Sequence, residues 1–200
     1  MLSLSTTVNE MRQQRPVLRV IAGDFNAPLM INGVAIRLSA LERHLPAVEA
    51  LVVEQDTGML LDEASLSINS NQPAPIPDLI SEEDFDYPLA TVLPKRGQPI
   101  HLQTVIYDLN RKPNWSPATI ELALEHLFDL LPTMRISSLA MPALAHRHGA
   151  LAVEEFITLL CDYLAHHPLP WSGDLWLLLP RETLQESLAA LHTQCDIHQP

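Results

Sequence analysis

The sequence predicts an α/β protein, folded as a three-layer α/β/α sandwich around a mixed β-sheet. Strand-like and helix-like segments alternate from residue 100 onward, which is typical of right-handed βαβ units with parallel strands. Two strand-like runs near the amino terminus, separated by a turn, indicate a hairpin with antiparallel pairing. Hydrophobic residues make up 47% of the 200-residue chain, so a sizeable core is available.

The amino-terminal third supplies the hairpin and the first parallel strand. We predict strands over 16–22 and 34–38, joined by a turn that contains Asn26 and Pro28. A third strand is predicted over 48–53, where an apolar run precedes a group of polar residues. The carboxyl end of that strand is a place to look for functional residues, because ligands of open α/β sheets bind beyond the strand ends.

The second half carries the clearer βα alternation. Strands are predicted over 102–109, 136–141 and 174–180, and the pair Ser116 and Pro117 predicts a helix start with a capping side chain and a proline in the first turn. The helices have apolar positions spaced as on one helical face. These positions are Ile120, Leu124, Leu127 and Leu131; Val153, Phe156, Ile157, Leu160 and Leu164; and Leu184, Leu188 and Leu191.

The chain is predicted to form one domain over 16–193, with short tails at 1–15 and 194–200. Segment 69–88 interrupts the alternation and is rich in proline and acidic residues. A loop of this length is either functional, for example a lid over a pocket, or a tolerated surface excursion. The sequence leaves both interpretations open.

Composition excludes several classes of protein. The net charge of −12 and the scattered positions of the 12 lysines and arginines argue against nucleic-acid binding. No apolar run approaches the roughly 20 residues that cross a bilayer, and the first residues do not form a signal peptide. We therefore expect a soluble cytoplasmic protein with no membrane partner and no cofactor. Cys161 is interpreted as a buried thiol, and Trp115, Trp171 and Trp176 as packing residues, with Trp176 inside a buried strand.

A short turn after the strand over 136–141 is the main candidate site. Its sequence, AHRHG, places an arginine and two histidines directly before a helix N-terminus. Backbone N–H groups at such a position bind anions, and an arginine adds a charge-assisted contact. The alternative is that these side chains are only solvated on a turn. The residues of the candidate anion site are Ala145, His146, Arg147, His148, Gly149 and Ala150.

Two acids, Glu54 and Asp56, follow the strand over 48–53 and are included in the ligand site. Paired carboxylates at a strand end support acid–base or metal chemistry, or else they cap the next element. His146 and His148 form a His-X-His pair, but zinc needs three or four convergent ligands, so no metal site is predicted. No serine or cysteine lies in a recognisable nucleophile motif, and no catalytic residue is predicted.

Several stretches resemble the macro domain, the ADP-ribose-binding α/β/α module. VIYDLN at 105–110 and ISSLAMPALAHRHGAL at 136–151 are similar to the family's strand–helix–strand passage, which ends in a Pro-Ala-Leu turn and a glycine-containing phosphate loop. The segment 38–66 is similar to the passage that leads into the family's asparagine-rich strand end and glycine-rich loop. The resemblance extends from about Ile36 to Leu191, and it implies the macro domain fold and ADP-ribose as a ligand.

The chain departs from the family pattern at the ligand motifs. Ala40 stands where the family has an acid that contacts adenine. Asp24 takes that role only if residues 26–38 are an insertion relative to the family. EQDT at 54–57 replaces Asn-Ala-Ala-Asn, and LDEAS at 61–65 replaces three glycines. The substitution removes the close backbone approach that glycine permits and adds negative charge near a diphosphate. ADP-ribosyl hydrolysis depends on these motifs and is not expected, although other enzymatic activity stays open.

These observations lead to two functional hypotheses. The first is non-catalytic binding of an ADP-ribose-like, nucleotide-like or other phosphorylated small molecule. The second is a scaffold of the same fold that has lost its ligand and acts through a protein partner. The HRHGA turn favours the first hypothesis, and the acidic residues at 61–65 favour the second.

Overall fold

A computed structural model describes residues 28–41, 46–61 and 87–198. The predicted strand over 16–22, Asp24, and most of the segments 61–65 and 69–88 lie outside these residues. The strands are β1 Leu29–Ile31, β2 Val34–Ala40, β3 Ala50–Asp56, β4 Val92–Lys95, β5 Ile100–Tyr107, β6 Ser138–Pro142 and β7 Asp174–Leu179. The helices are α1 Pro117–Thr133, the single turn α2 His146–Gly149, α3 Val153–His166 and α4 Leu184–His198.

The seven strands form one mixed sheet in the order β1-β2-β7-β6-β3-β5-β4. The five central strands are parallel, whereas β1 and β4 pair antiparallel at the two edges. Helices alternate with the strands along the second half of the chain, so the predicted α/β class and mixed sheet are confirmed. The carboxyl ends of β3, β5 and β6 meet at one edge of this sheet.

The predicted start of α1 is confirmed. Pro117 is its first residue, and the Ser116 side chain accepts a hydrogen bond from the Thr119 N–H at 3.1 Å. The predicted apolar stripes of α1 and α3 are buried in the main core, together with Cys161. In the part of the chain that the structure describes, no helix is long and apolar enough to span a membrane.

The observed hairpin differs from the predicted one. Its turn is Asn32-Gly33, with φ of 49° and 87°, and it joins β1 to β2. The predicted hairpin partner of β2 was therefore wrong, because β1 and β7 lie on its two sides. Of the predicted turn, Pro28 directly precedes β1, and Asn26 lies outside the described residues. An Asn-Gly pair with both residues at positive φ is the usual two-residue hairpin connection, because its twist matches that of the strands. This dipeptide was the signal that the sequence interpretation overlooked.

Strand β4 was not predicted, and some strand limits were displaced. Strand β4 has only four residues and is partly exposed. Pro94 has no backbone N–H to donate, and a sheet tolerates such a residue in an edge strand. Strand β3 continues to Asp56, because its pairing with β5 extends through the polar residues to Tyr107. The two acids after the predicted strand are thus part of the strand itself.

Both faces of the sheet bury apolar side chains. The larger cluster lies beneath α1, α3 and α4, and a smaller one on the other face is formed by Leu51, Val53, Ala140 and Leu178. Trp176 belongs to the edge of this smaller cluster and is only half-buried, with the Arg37 guanidinium 5.6 Å from its ring centroid. The interpretation of Trp176 as inside a fully buried strand was wrong, because alternate residues of β7 point to opposite faces.

Candidate functional site

The turn after β6 is fixed by its own backbone. Ala145 and Ala150 both adopt left-handed conformations, with φ of 60° and 57°, on either side of α2. The Ala145 carbonyl accepts hydrogen bonds from the N–H groups of Gly149 and Leu151, at 3.1 and 3.0 Å. The Gly149 N–H that was expected to cap an anion is therefore engaged within the turn. We call residues 145–150 the HRHG turn.

Glu54 anchors the HRHG turn to the sheet. Its Oε1 accepts a hydrogen bond from the Ala145 N–H at 2.7 Å, and the side chain is half-buried at the end of β3. Burial raises the pKa of Glu54 to about 7, against the lowering effect of the Ala145 N–H, Tyr107 and Arg147. A carboxyl group with this pKa exists in both its neutral and its ionised form near neutral pH.

Tyr107 lies beneath the same turn. Its side chain is fully buried, and its hydroxyl has no hydrogen-bond partner of good geometry among the described residues, although it lies near Glu54 and the His148 backbone. Burial, together with the negative charge of Glu54, raises the pKa of Tyr107. The His148 ring stands edge-on to the Tyr107 ring, with centroids 5.6 Å apart. Burial, and secondarily Arg147, lowers the pKa of His148.

Gly149 is required by the close approach of Trp115. The Trp115 Nε1–H donates to the Gly149 carbonyl at 2.5 Å, and Asn114 Nδ2 lies 3.5 Å from the His148 carbonyl. A Cβ on Gly149 would lie 2.6 Å from Trp115 Nε1, which the ring cannot accommodate without moving. Trp115 packs against the core as expected, but it also positions the HRHG turn. No sequence pattern links two residues that lie 34 positions apart.

Asp56 organises a different loop. Its Oδ1 accepts from the Gly58 N–H at 2.8 Å, and its Oδ2 accepts from the Leu60 and Leu61 N–H groups at 2.9 and 3.0 Å. The residue is buried, and the adjacent Gln55 donates from Nε2 to the Leu61 carbonyl at 2.8 Å. The structure thus brings Glu54 and Asp56 to the same sheet edge as the HRHG turn, with each carboxylate hydrogen-bonded to the backbone of a different loop.

The side chains of His146, Arg147 and His148 in the HRHG turn are half-exposed. His146 Nδ1 lies 2.8 Å from the Leu151 carbonyl, which holds its ring against the turn. Arg147 forms no ion pair with a described residue, and its charge acts on Glu54, Tyr107 and His148. Within residues 28–41, 46–61 and 87–198, no three His, Cys, Asp or Glu side chains converge as metal ligands.

Two positions at which the sequence departs from the family motifs, Ala40 and Leu61, are among the described residues. Ala40, at the position of the expected adenine-contacting acid, is the buried last residue of β2. Leu61 is the only described residue of the segment 61–65, and its N–H is held by Asp56. The acidic residues that follow Leu61 lie outside the described residues.

No family model and no curated protein matches the chain by sequence. Its fold is similar to several solved structures. The Oceanobacillus iheyensis macrodomain with ADP is 12% identical, with a TM-score of 0.59 over 84% of this chain and 93% of that one. The macrodomain of Thermus aquaticus DarG is 17% identical, with a TM-score of 0.52 over 74% and 100%. The Trypanosoma brucei macrodomain in complex with ADP-ribose is 10% identical, with a TM-score of 0.53 over 80% and 68%.

Proposed function

The chain has the macrodomain fold, and from this premise we propose that it binds ADP-ribose or a related phosphorylated, nucleotide-like molecule at the carboxyl edge of its sheet. The proposed ligand lies on the HRHG turn, with Arg147 contacting the phosphates. Glu54 and Asp56 belong to the site as supports of its two loops. The residues assigned to the turn are Ala145, His146, Arg147, His148, Gly149 and Ala150.

The observation that carries this proposal is the position of Arg147. The residue lies on a braced turn at the carboxyl end of a central parallel strand, where open α/β sheets bind their ligands. It forms no ion pair with a described residue, so its guanidinium donors remain for an external anion. Solved proteins of the same fold contain ADP or ADP-ribose, which supports this choice of ligand class.

The proposed binding is non-catalytic. Each of the two acids that sequence reasoning singled out is engaged by backbone N–H groups, Glu54 by one and Asp56 by three. Both carboxylates therefore have a structural use that is independent of a reaction. We assign them no catalytic step.

The test is a calorimetric titration of the purified chain at low salt with ADP-ribose, AMP and ribose 5-phosphate. Low salt is needed because screening weakens contacts of exposed charges. Saturable heat with ADP-ribose, and weaker heat with the two fragments, would support the proposal. Equal and weak heats with all three would indicate an anion site without nucleotide recognition.

A second function is favoured by the contact between Glu54 and Ala145. In this contact a carboxylate of the protein itself satisfies a backbone N–H of the turn, as an external anion would. In this alternative we propose that the turn is filled by Glu54 and that the chain acts as a scaffold for a protein partner. Absence of heat and of any thermal shift at millimolar ADP-ribose would favour this function over the first.

A further inference from the structure

Glu54 lies directly beside the HRHG turn, so its charge would act on an anion bound there. Its carboxyl group is hydrogen-bonded to the first residue of the turn, Ala145, at 2.7 Å. It is half-buried between the end of β3 and the turn, and bulk water therefore screens it incompletely. A second anion bound on the turn would face this carboxyl group at short range.

Few charged and titratable groups among the described residues act on Glu54. They are Tyr107 on β5 and Arg147 on the turn, and Asp56 on the same strand as Glu54 acts on His148. Arg147 is the one permanent cation among them. Arg147 forms no ion pair with Glu54, so its guanidinium is available to an anion in both states of Glu54, and ionised Glu54 weakens the attraction of that anion by its negative charge.

The Tyr107 hydroxyl is a second and independent sign of a ligand-responsive site. It is fully buried beneath the turn, beside Glu54 and the His148 backbone, without a hydrogen-bond partner of good geometry among the described residues. Buried polar groups are normally paired, so an unpaired one marks a place where hydrogen bonds rearrange. The Tyr107 O–H donates to an ionised Glu54, whereas its oxygen accepts from a neutral one, so the pairing of this hydroxyl changes with the charge of Glu54.

We propose that Glu54 couples anion binding to proton uptake, so that the HRHG turn accepts an anion together with a proton on the Glu54 carboxyl group. This proposal rests on the binding function proposed above and adds a positioning residue to it. The neutral carboxyl group still accepts the Ala145 N–H through its carbonyl oxygen, so the turn keeps its anchor. It no longer repels the anion.

The pKa of Glu54, raised to about 7 by burial, places this coupling near neutral pH. If only the form with neutral Glu54 binds, affinity decreases about tenfold between pH 6 and pH 8, because the neutral fraction of a group with this pKa falls from about nine tenths to about one tenth. The lowered pKa of His148 makes that ring a smaller contributor over the same range. His146, the other histidine of the turn, is replaced in control variants.

The experiment measures affinity between pH 6 and pH 8 for two probes, ADP-ribose and inorganic sulfate, neither of which takes up a proton in this range. The proteins are the wild type and Glu54→Gln, each also prepared with His146→Gln. The Ala145 amide proton is followed by NMR in the same samples, because its chemical shift reports ionisation of its hydrogen-bond partner. Tyr107→Phe is a further variant, used if Glu54→Gln does not fold.

The coupling predicts an approximately tenfold loss of wild-type affinity over this range, with or without His146, and a flat profile in Glu54→Gln. If sulfate binds with this dependence of affinity on pH but ADP-ribose does not bind, the coupling is retained and the ligand proposed above is rejected. A flat wild-type profile, or the same slope in Glu54→Gln, would overturn the coupling while leaving the ligand intact. Failure of both probes to bind would overturn both. If Glu54→Gln does not fold, Tyr107→Phe takes its place. An unchanged slope of affinity against pH in Tyr107→Phe would support Glu54 as the titrating group. An Ala145 amide chemical shift that does not change with pH would overturn the coupling.

Discussion

Glu54 and Ala145 lie 91 positions apart in the chain and are joined by a 2.7 Å hydrogen bond from the Ala145 N–H to the Glu54 Oε1. The bond ties the end of β3 to the turn that follows β6. It also engages the N–H of a residue, Ala145, that is itself left-handed, a conformation that costs a non-glycine residue about 1 kcal/mol. The geometry of the candidate site therefore depends on one ionisable side chain.

Replacing Glu54 by glutamine removes a pH dependence of stability. The folded-state pKa of Glu54 is raised to about 7, so the wild type loses stability as pH rises from the unfolded-state value of 4.5 through 7. Glutamine keeps the oxygen acceptor but has no proton to lose. We expect Glu54→Gln to be more stable than the wild type by about 2 kcal/mol at pH 8, allowing for partial exposure, and similar to it at pH 4. Urea denaturation at both pH values measures this difference.

Glu49, directly before β3, provides a control of opposite sign. Hydrogen bonds from the Ser137 N–H and hydroxyl, and from the Ser138 N–H, lower its pKa. Its contribution is therefore present above pH 4.5 and lost as pH falls through the lower folded-state value. In Glu49→Gln, the free energy of unfolding should therefore decrease less than in the wild type as the pH falls below 4.5. A Glu54→Gln profile parallel to that of the wild type would contradict the assignment of Glu54.

Gly149→Ala should destabilise the protein by about 1–3 kcal/mol, because the added methyl group overlaps the Trp115 ring. The cost should shrink when Trp115 is first replaced by alanine, which makes room for the methyl group. A double-mutant cycle by chemical denaturation measures the coupling between the two positions. Additive losses would show that the close approach of Trp115 does not explain the glycine.

Asp56→Asn should lower the free energy of unfolding by about 3 kcal/mol, because an amide cannot accept all three N–H groups that the buried carboxylate accepts. Asp108→Asn is the matched control. Asp108 accepts one N–H, from Asn110, and pairs with the exposed Arg111, so its loss should cost about 1 kcal/mol or less. Full stability of Asp56→Asn with weakened ADP-ribose binding would instead place Asp56 in direct contact with the ligand.

Local signals in the sequence were sufficient for the helices and the parallel strands. The pair Ser116 and Pro117 carries its own capping chemistry, and the apolar stripes of α1 and α3 follow helical spacing. Strand β4 escaped because it is short and contains Pro94, so it has neither alternation nor a full set of donors. The hairpin was misplaced because Asn32-Gly33 was overlooked as the turn.

The sequence predicts that Glu54 and the HRHG turn lie at one sheet edge, because each was expected at the carboxyl end of a parallel strand, and the structure brings them together there. Whether they bind a ligand stays a prediction. It did not reveal that Glu54 holds Ala145, or that Trp115 occupies the space beside Gly149. These relationships join residues far apart in the chain, and residue type alone gives no register for them.

The most direct measurement is calorimetric titration of ADP-ribose at low salt into the wild type, Arg147→Gln and Arg135→Gln. The two substitutions change the net charge equally, but Arg135 lies at the other end of the sheet, between α1 and β6. We predict that Arg147→Gln weakens binding about 10- to 100-fold and that Arg135→Gln leaves it nearly unchanged, because the first removes a charge-assisted contact. Equal affinities in all three proteins, or no binding by the wild type at millimolar ligand, would contradict the proposal that the HRHG turn binds the ligand.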